Sequence, residues 1–247
     1  FNPNKTIRYP EYSNESEAIG SWGKSGNQSG QLNGPNGIEF DSDDNLYVVD
    51  SKNHRIQKFT KSGKYIMQWG KFGNNPGEFD TPWGIAIDRD QNVFIADWGN
   101  DRVQKFDSNG KYIMSFGSDD SVGGKLNHPA DIAIDSEDDV YITDWGNKRV
   151  NIYESNGEII TSLFGDATEL SKAGKNVIER DLGWQLAYKR VEIEEFTKLG
   201  LFGRPIGIEI NSNDTIIITD TKGRLQIYNK VKDFVEPPKN VKTLYPQ

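Results

Sequence analysis

Two kinds of side chain in this sequence have the chemistry to act on something, and they are distributed differently. Charged groups recur. Asp50, Asn53 and Arg55 are followed at equal spacing by Asp97, Asn100 and Arg102, then by Asp144, Asn147 and Arg149, while Asp220 and Arg224 mark a fourth copy. A carboxylate five residues from a guanidinium can form a charge-assisted pair within its unit or across to the next. A residue present in every unit is expected to hold units together, so Asp50, Asp97, Asp144, Asp220, Arg55, Arg102, Arg149 and Arg224 are read as structural. Asp41, Asp88 and Asp135 precede turn-forming residues and are read as turn formers. The unrepeated groups are fewer. Trp83, Trp98 and Trp145 carry flat apolar faces suited to stacking on a ligand or partner. Asp131 and His128 offer a carboxylate and an imidazole, a pair able to hold a divalent cation or act as a base.

These groups are positioned by a repeat of 47 residues, running Pro35–Gly70, Pro82–Gly117 and Pro129–Phe164, with a fourth copy starting 76 residues later at Pro205. Self-similarity at this period marks a stacked or radial architecture. Each unit reads as four strands. In the second copy Gly84–Asp88 is a strand, Arg89–Asn92 a turn and Val93–Asp97 a strand rich in β-formers. Trp98–Asp101 form a loop, Arg102–Asp107 a third strand, Ser108–Gly110 a turn, and Lys111–Gly117 a fourth strand. The second strand is apolar on both faces, as in a sheet buried between neighbours. The third mixes Gln104 and Lys105 with Val103 and Phe106, which predicts an outer, wetter strand. Repeated four-stranded sheets of this kind are the blades of an all-β propeller.

The stretch PWGIAIDRDQNVFIADWGNDRVQKFDSNGKYIMSFG resembles the NHL repeat, with its P-x-G-I/V-A-V-D start and N-x-R-[IV]-Q-x-F third strand. The resemblance covers Gln31–Gly70, Glu78–Gly117, Lys125–Gly165 and Phe202–Tyr228, and implies a six-bladed parent architecture. Setting aside the extra residues before the fourth copy leaves about 4.6 units at this period. The sequence is therefore read as a single propeller domain: half a blade at 1–23, blades at 24–70, 71–117 and 118–165, and a helical insertion at about 166–203. A last blade at 204–235 and a tail at 236–247 complete it. The expectation is an N-terminally incomplete chain, or an open ring that self-associates through its exposed faces. Asp166–Gly203 is read as helical because Trp184, Tyr188 and Val191 fall at helical spacing, and it resembles a segment of uncharacterised bacterial NHL proteins.

In a propeller, the loop into the first strand and the loop between second and third strands share one mouth. Their columns read Asn36, Trp83, Ala130, Ile206 and Ser51, Trp98, Trp145, Thr221, so Trp83, Trp98 and Trp145 are expected to cluster there. Trp22 and Trp69 align with Phe116 and are read as core. Arg102, Arg149, Lys148 and Asp101 join the tryptophans as candidates for partner contact. Asp131 stands where the other copies have Gly37, Gly84 and Gly207, which predicts a carboxylate in the channel, with His128 on the same rim. No cofactor is predicted, and a divalent cation near Asp131 is the one these residues would allow.

The function expected is a non-catalytic binding scaffold that presents the tryptophans to a protein, peptide or glycan. The alternatives are a metal-assisted lyase or hydrolase of the six-bladed class and an RNA-binding NHL domain. Resemblance to the peptidyl-hydroxyglycine lyase implies a zinc held by several histidines, and this sequence has only His54 and His128. Resemblance to the RNA-binding NHL proteins implies a basic mouth, against a net charge of −8. Cysteine is absent, which removes disulfides and thiolate ligands. No apolar run long enough to span a membrane and no signal segment is visible in these residues, and the compartment is left open.

Overall fold

A computed structural model describes residues 23–118, 125–165 and 201–230. It is built almost wholly from antiparallel sheets joined in chain order. After a short parallel pair, β1 (Lys24–Ser25) and β2 (Gln31–Leu32), the first blade comprises β3 (Pro35–Phe40), β4 (Leu46–Asp50), β5 (Arg55–Phe59) and β6 (Tyr65–Trp69). The second comprises β7 (Ile85–Ile87), β8 (Val93–Asp97), β9 (Arg102–Phe106) and β10 (Tyr112–Phe116). The third comprises β11 (Pro129–Ile134), β12 (Val140–Asp144), β13 (Arg149–Tyr153) and β14 (Ile159–Leu163). Of the fourth blade, β15 (Pro205–Ile210), β16 (Thr215–Asp220) and β17 (Arg224–Asn229) lie among the described residues. The expected half blade at 1–23 and helical insertion at 166–203 fall outside them, apart from Gly23 and residues 201–203.

The first strands line the axis in the order β3, β7, β11, β15. Two devices let them approach. A Cβ on Gly84 would lie 2.6 Å from the Asp131 Cα, and one on Gly37 would lie 2.6 Å from the Trp83 carbonyl oxygen, so only glycine fits. The Gly37 N–H itself donates to that carbonyl at 2.9 Å. Second strands are the most buried elements because apolar residues occupy both of their faces. In β8, Val93 and Ile95 pack with Tyr47, Val49 and Ile56 of blade 1, while Phe94 and Ala96 pack with Ile132, Val140 and Ile142 of blade 3. A third cluster joins Tyr141 and Val150 to Ile208, Ile216 and Ile218. Trp69 sits between Tyr47 and Phe106, at ring-centroid distances of 6.1 and 5.8 Å, so it is core. Trp22 lies outside the described residues.

The reading of the third strand as wet needs correction. Gln57 and Gln104 are fully buried, and Gln104 donates to the Glu78 carbonyl at 2.7 Å and accepts the Gly77 N–H at 2.9 Å. In blades 1 and 2 this polar side chain is solvated by loop backbone, not by water. Lys105 holds its ammonium 4.8 Å from the Phe94 ring centroid and 3.4 Å from Asp88.

Candidate functional site

The mouth is built over a buried clamp that recurs in each blade. Asp97 ends β8, and its carboxylate accepts from Arg102 Nε (2.9 Å), Asn100 Nδ2 (2.9 Å), Gln104 Nε2 (3.1 Å) and the Asp80 N–H (2.8 Å). Arg102 then donates to the carbonyls of Asn74, Asn75 and Glu78 at 2.8 to 3.0 Å, which fixes the incoming loop. Asp50 and Arg55 repeat the arrangement on Asn27, Gln28 and Gln31. Arg149 with Asp144, and Arg224 with Asp220, keep the ion pair at 2.8 Å. Burial holds the Asp97 carboxyl above its usual range, although Asn100, the Asp80 N–H and Arg102 all oppose that shift. Arg102 and Arg149, offered by the sequence for partner contact, therefore turn their guanidiniums under the loops.

Above the clamp, the loops between second and third strands carry the tryptophans. Trp98 opens a single 3-10 turn, Trp98–Asn100, that ends at Asp101 with φ +54°. Trp83 and Trp98 stack with ring centroids 4.0 Å apart and planes 20° from parallel, and Trp145 lies 5.1 Å from Trp98. All three are half-buried. His128 meets the Trp98 ring edge-on at 4.9 Å, and Arg204 places its guanidinium carbon 3.9 Å from the Trp145 centroid. The result is one aromatic group spanning blades 2 and 3 and capped by a cation from the entry loop of blade 4.

Arg204 escaped the sequence reading, yet its column holds the signal. The residue before each blade's proline reads Gly34, Thr81, His128, Arg204. In each of the last two blades this residue leans on the loop tryptophan of the blade before. Asp101 and Lys148 do lie at the rim. Asp101 Oδ1 accepts the His128 N–H at 2.8 Å, and Lys148 is exposed.

Asp131 and His128 do not form one site. The Asp131 carboxylate accepts the Ile132 and Ile208 N–H groups, each at 3.0 Å, and so ties blade 3 to blade 4. Its pKa is raised to about 6, first by burial and also by Glu209 and Glu39, against the two backbone hydrogen bonds. Glu39 and Glu209 replace Ala86 and Ala133 of the middle blades, a column difference the sequence reading passed over. The His128 ring stays with the tryptophans, its Nδ1 3.6 Å from Asp101. Among the described residues, no group of three or more His, Asp or Glu side chains converges as a metal site would require. Among them, too, no helix is long and apolar enough to cross a membrane.

The family model described as SMP-30/Gluconolactonase/LRE-like region matches residues 19–118, and the NHL repeat model matches residues 126–153. None of the curated proteins matches the chain. Among solved structures, a streptogramin B lyase is 14% identical with a TM-score of 0.50, over 84% of this chain and 57% of that one. Hydrazine synthase of Kuenenia stuttgartiensis is 14% identical with a TM-score of 0.52, over 80% and 46%. The WD40 β-propeller domain of Doa1 is 12% identical with a TM-score of 0.51, over 80% and 50%. The chain thus spans between 46% and 57% of the length of these structures. At such identities the likeness concerns fold alone. With the matching repeat models and the four antiparallel blades, it supports an NHL-repeat type of β-propeller.

Proposed function

We propose that the chain is a non-catalytic binding scaffold whose tryptophan-bearing mouth recognises a protein, peptide or glycan partner. The observation that carries this reading is the convergence of Trp83, Trp98, Trp145, His128 and Arg204 from three blades onto one rim. None of these residues belongs to the repeated clamp, and the blades hold together by other means. Half-buried aromatic groups beside a cation are the composition of recognition hot spots. The Asp131 carboxylate is occupied by two backbone donors, which fits a tie between blades better than a base awaiting substrate.

The reading is tested by probing immobilised chain against glycan and peptide arrays, in parallel with Trp98→Ala and Trp98→Phe. The expected result is a set of ligands retained by the wild type, weakened by Trp98→Phe and lost with Trp98→Ala, while circular dichroism shows all three folded. An identical set of ligands on all three chains would move recognition off this rim.

A further inference from the structure

If the mouth is a recognition surface, its electrostatics narrow what it recognises. Between blades 3 and 4 it opens into a groove of about 380 Å³, lined by Lys148, Arg204 and Lys222 together with Phe202 and Thr221. The groove is open to solvent, so it suits one end or one edge of a larger ligand. No carboxylate is among its lining residues. Lys148 is exposed and makes no hydrogen bond or ion pair among the described residues. Lys222 holds its ammonium at the edge, donating to the Leu201 carbonyl at 3.2 Å. Arg204 belongs to both regions, since its guanidinium lies over Trp145 and also lines the groove.

This concentration of positive charge stands on a chain whose net charge is −8. On this rim Asp101 sits beside His128, away from the groove, while many of the other acids are at the opposite ends of the blades: Asp43 and Asp44, Asp90, and Glu137 through Asp139 occupy the turns after the first strands. A local field of one sign within a surface of the other selects an anionic group and orients it. The aromatic group selects the rest of the ligand. Trp83 and Trp98 are already stacked at 4.0 Å, which leaves no gap for a nucleobase, so a ligand meets their outer edges and faces. Pyranose rings present the apolar C–H faces that suit such a surface.

We propose that the mouth binds an acidic oligosaccharide built of uronic acid units. A ring packs against the tryptophans, and a carboxylate sits among Lys148, Arg204 and Lys222. This rests on the reading of the mouth as a binding surface and adds the class of ligand.

Isothermal titration with oligogalacturonate and oligoalginate, and with their methyl-esterified forms, tests it on the full chain. Saturable binding of an acidic oligomer, at least tenfold weaker for its ester, is the expected result. Lys148→Ala and Arg204→Ala should each weaken that binding about tenfold or more, the size of a lost charge-assisted contact. Lys148→Asn, at an exposed position whose left-handed backbone (φ +58°) asparagine tolerates, keeps the test decisive should either alanine variant fail to fold. Equal binding of acid and ester, sensitive to Trp98→Ala, would overturn the acidic class while leaving the mouth as a binding surface. Binding of single-stranded RNA or an acidic peptide in place of the uronates would overturn the glycan. So would no heat with any uronate oligomer.

Discussion

The clamp and the aromatic group occupy the same end of the same blades, a few residues apart, yet they are built on opposite principles. In the clamp of blade 2 the carboxylate and the guanidinium are directed at partners inside the protein. The Asp97 carboxylate, fully buried, has four donors, and Arg102 closes the set on loop carbonyls. In the aromatic group, half-buried rings from successive blades touch one another and leave area toward solvent. The clamp recurs because each blade needs its entry loop fixed. The tryptophans belong to two blades only, because nothing in blade packing calls for them. Repetition separates architecture from recognition here, even where the two lie side by side.

The contrast breaks most readily at the clamp. Asp97→Ala should destabilise the chain by about 3–5 kcal/mol, because it leaves Arg102 buried without its carboxylate. Urea denaturation measures this, and a loss below about 1 kcal/mol would mean that the loop carbonyls alone satisfy the guanidinium.

Asp131 stands between the two classes, an unrepeated residue doing structural work. Its folded pKa of about 6 lies above the ordinary 3.8, so the fold favours the protonated acid. The corresponding stability is fully present below about pH 4 and is lost as pH rises through about 6, amounting to about 3 kcal/mol at most. Asp131→Gly, which restores the residue found in the other blades, should flatten the stability profile over that window relative to wild type. Parallel profiles for the two chains would show that the carboxylate is solvated in both states.

How much of this was legible in the sequence follows from which forces are local. Strand positions were, since two-residue alternation and turn residues act over a few neighbours: Val93–Asp97 and Arg102–Asp107 match β8 (Val93–Asp97) and β9 (Arg102–Phe106) to within a residue. The meeting of Trp83, Trp98 and Trp145 was legible too, because a propeller sends both loop columns to one mouth. Hidden from it was the destination of polar groups with a choice of partner. Gln104 reads as wet in any local window and is buried because a loop from 27 residues earlier brings it a carbonyl and an N–H. Arg204 was missed for a related reason. Its ring partner, Trp145, lies in another blade, and only the comparison of residues before each proline brings the two together.

At the aromatic group itself Trp98→Ala should cost about 1–2 kcal/mol of stability, the worth of its half-buried contacts, while the loss of binding is far larger. A loss of stability as great as that of Asp97→Ala would erase the distinction and make the tryptophans part of the scaffold.

The smallest effect lies where the two regions join. His54 and Asp101 hold equivalent positions with left-handed backbone, φ +52° and +54°, each closing a 3-10 turn. Each accepts an N–H from the next blade's entry loop: His54 Nδ1 from Thr81 at 3.0 Å, Asp101 Oδ1 from His128 at 2.8 Å. The shared requirement is an acceptor on a residue that tolerates positive φ, and aspartate meets both conditions. His54→Asp should therefore leave the denaturation midpoint nearly unchanged, whereas His54→Ala should cost about 1 kcal/mol through the orphaned Thr81 N–H and the strained alanine. The His54 ring also meets Phe72 edge-on at 4.9 Å. Equal losses in the two variants would assign the role to that packing, and the acceptor would drop out of the account of how one blade's mouth loop sets the next.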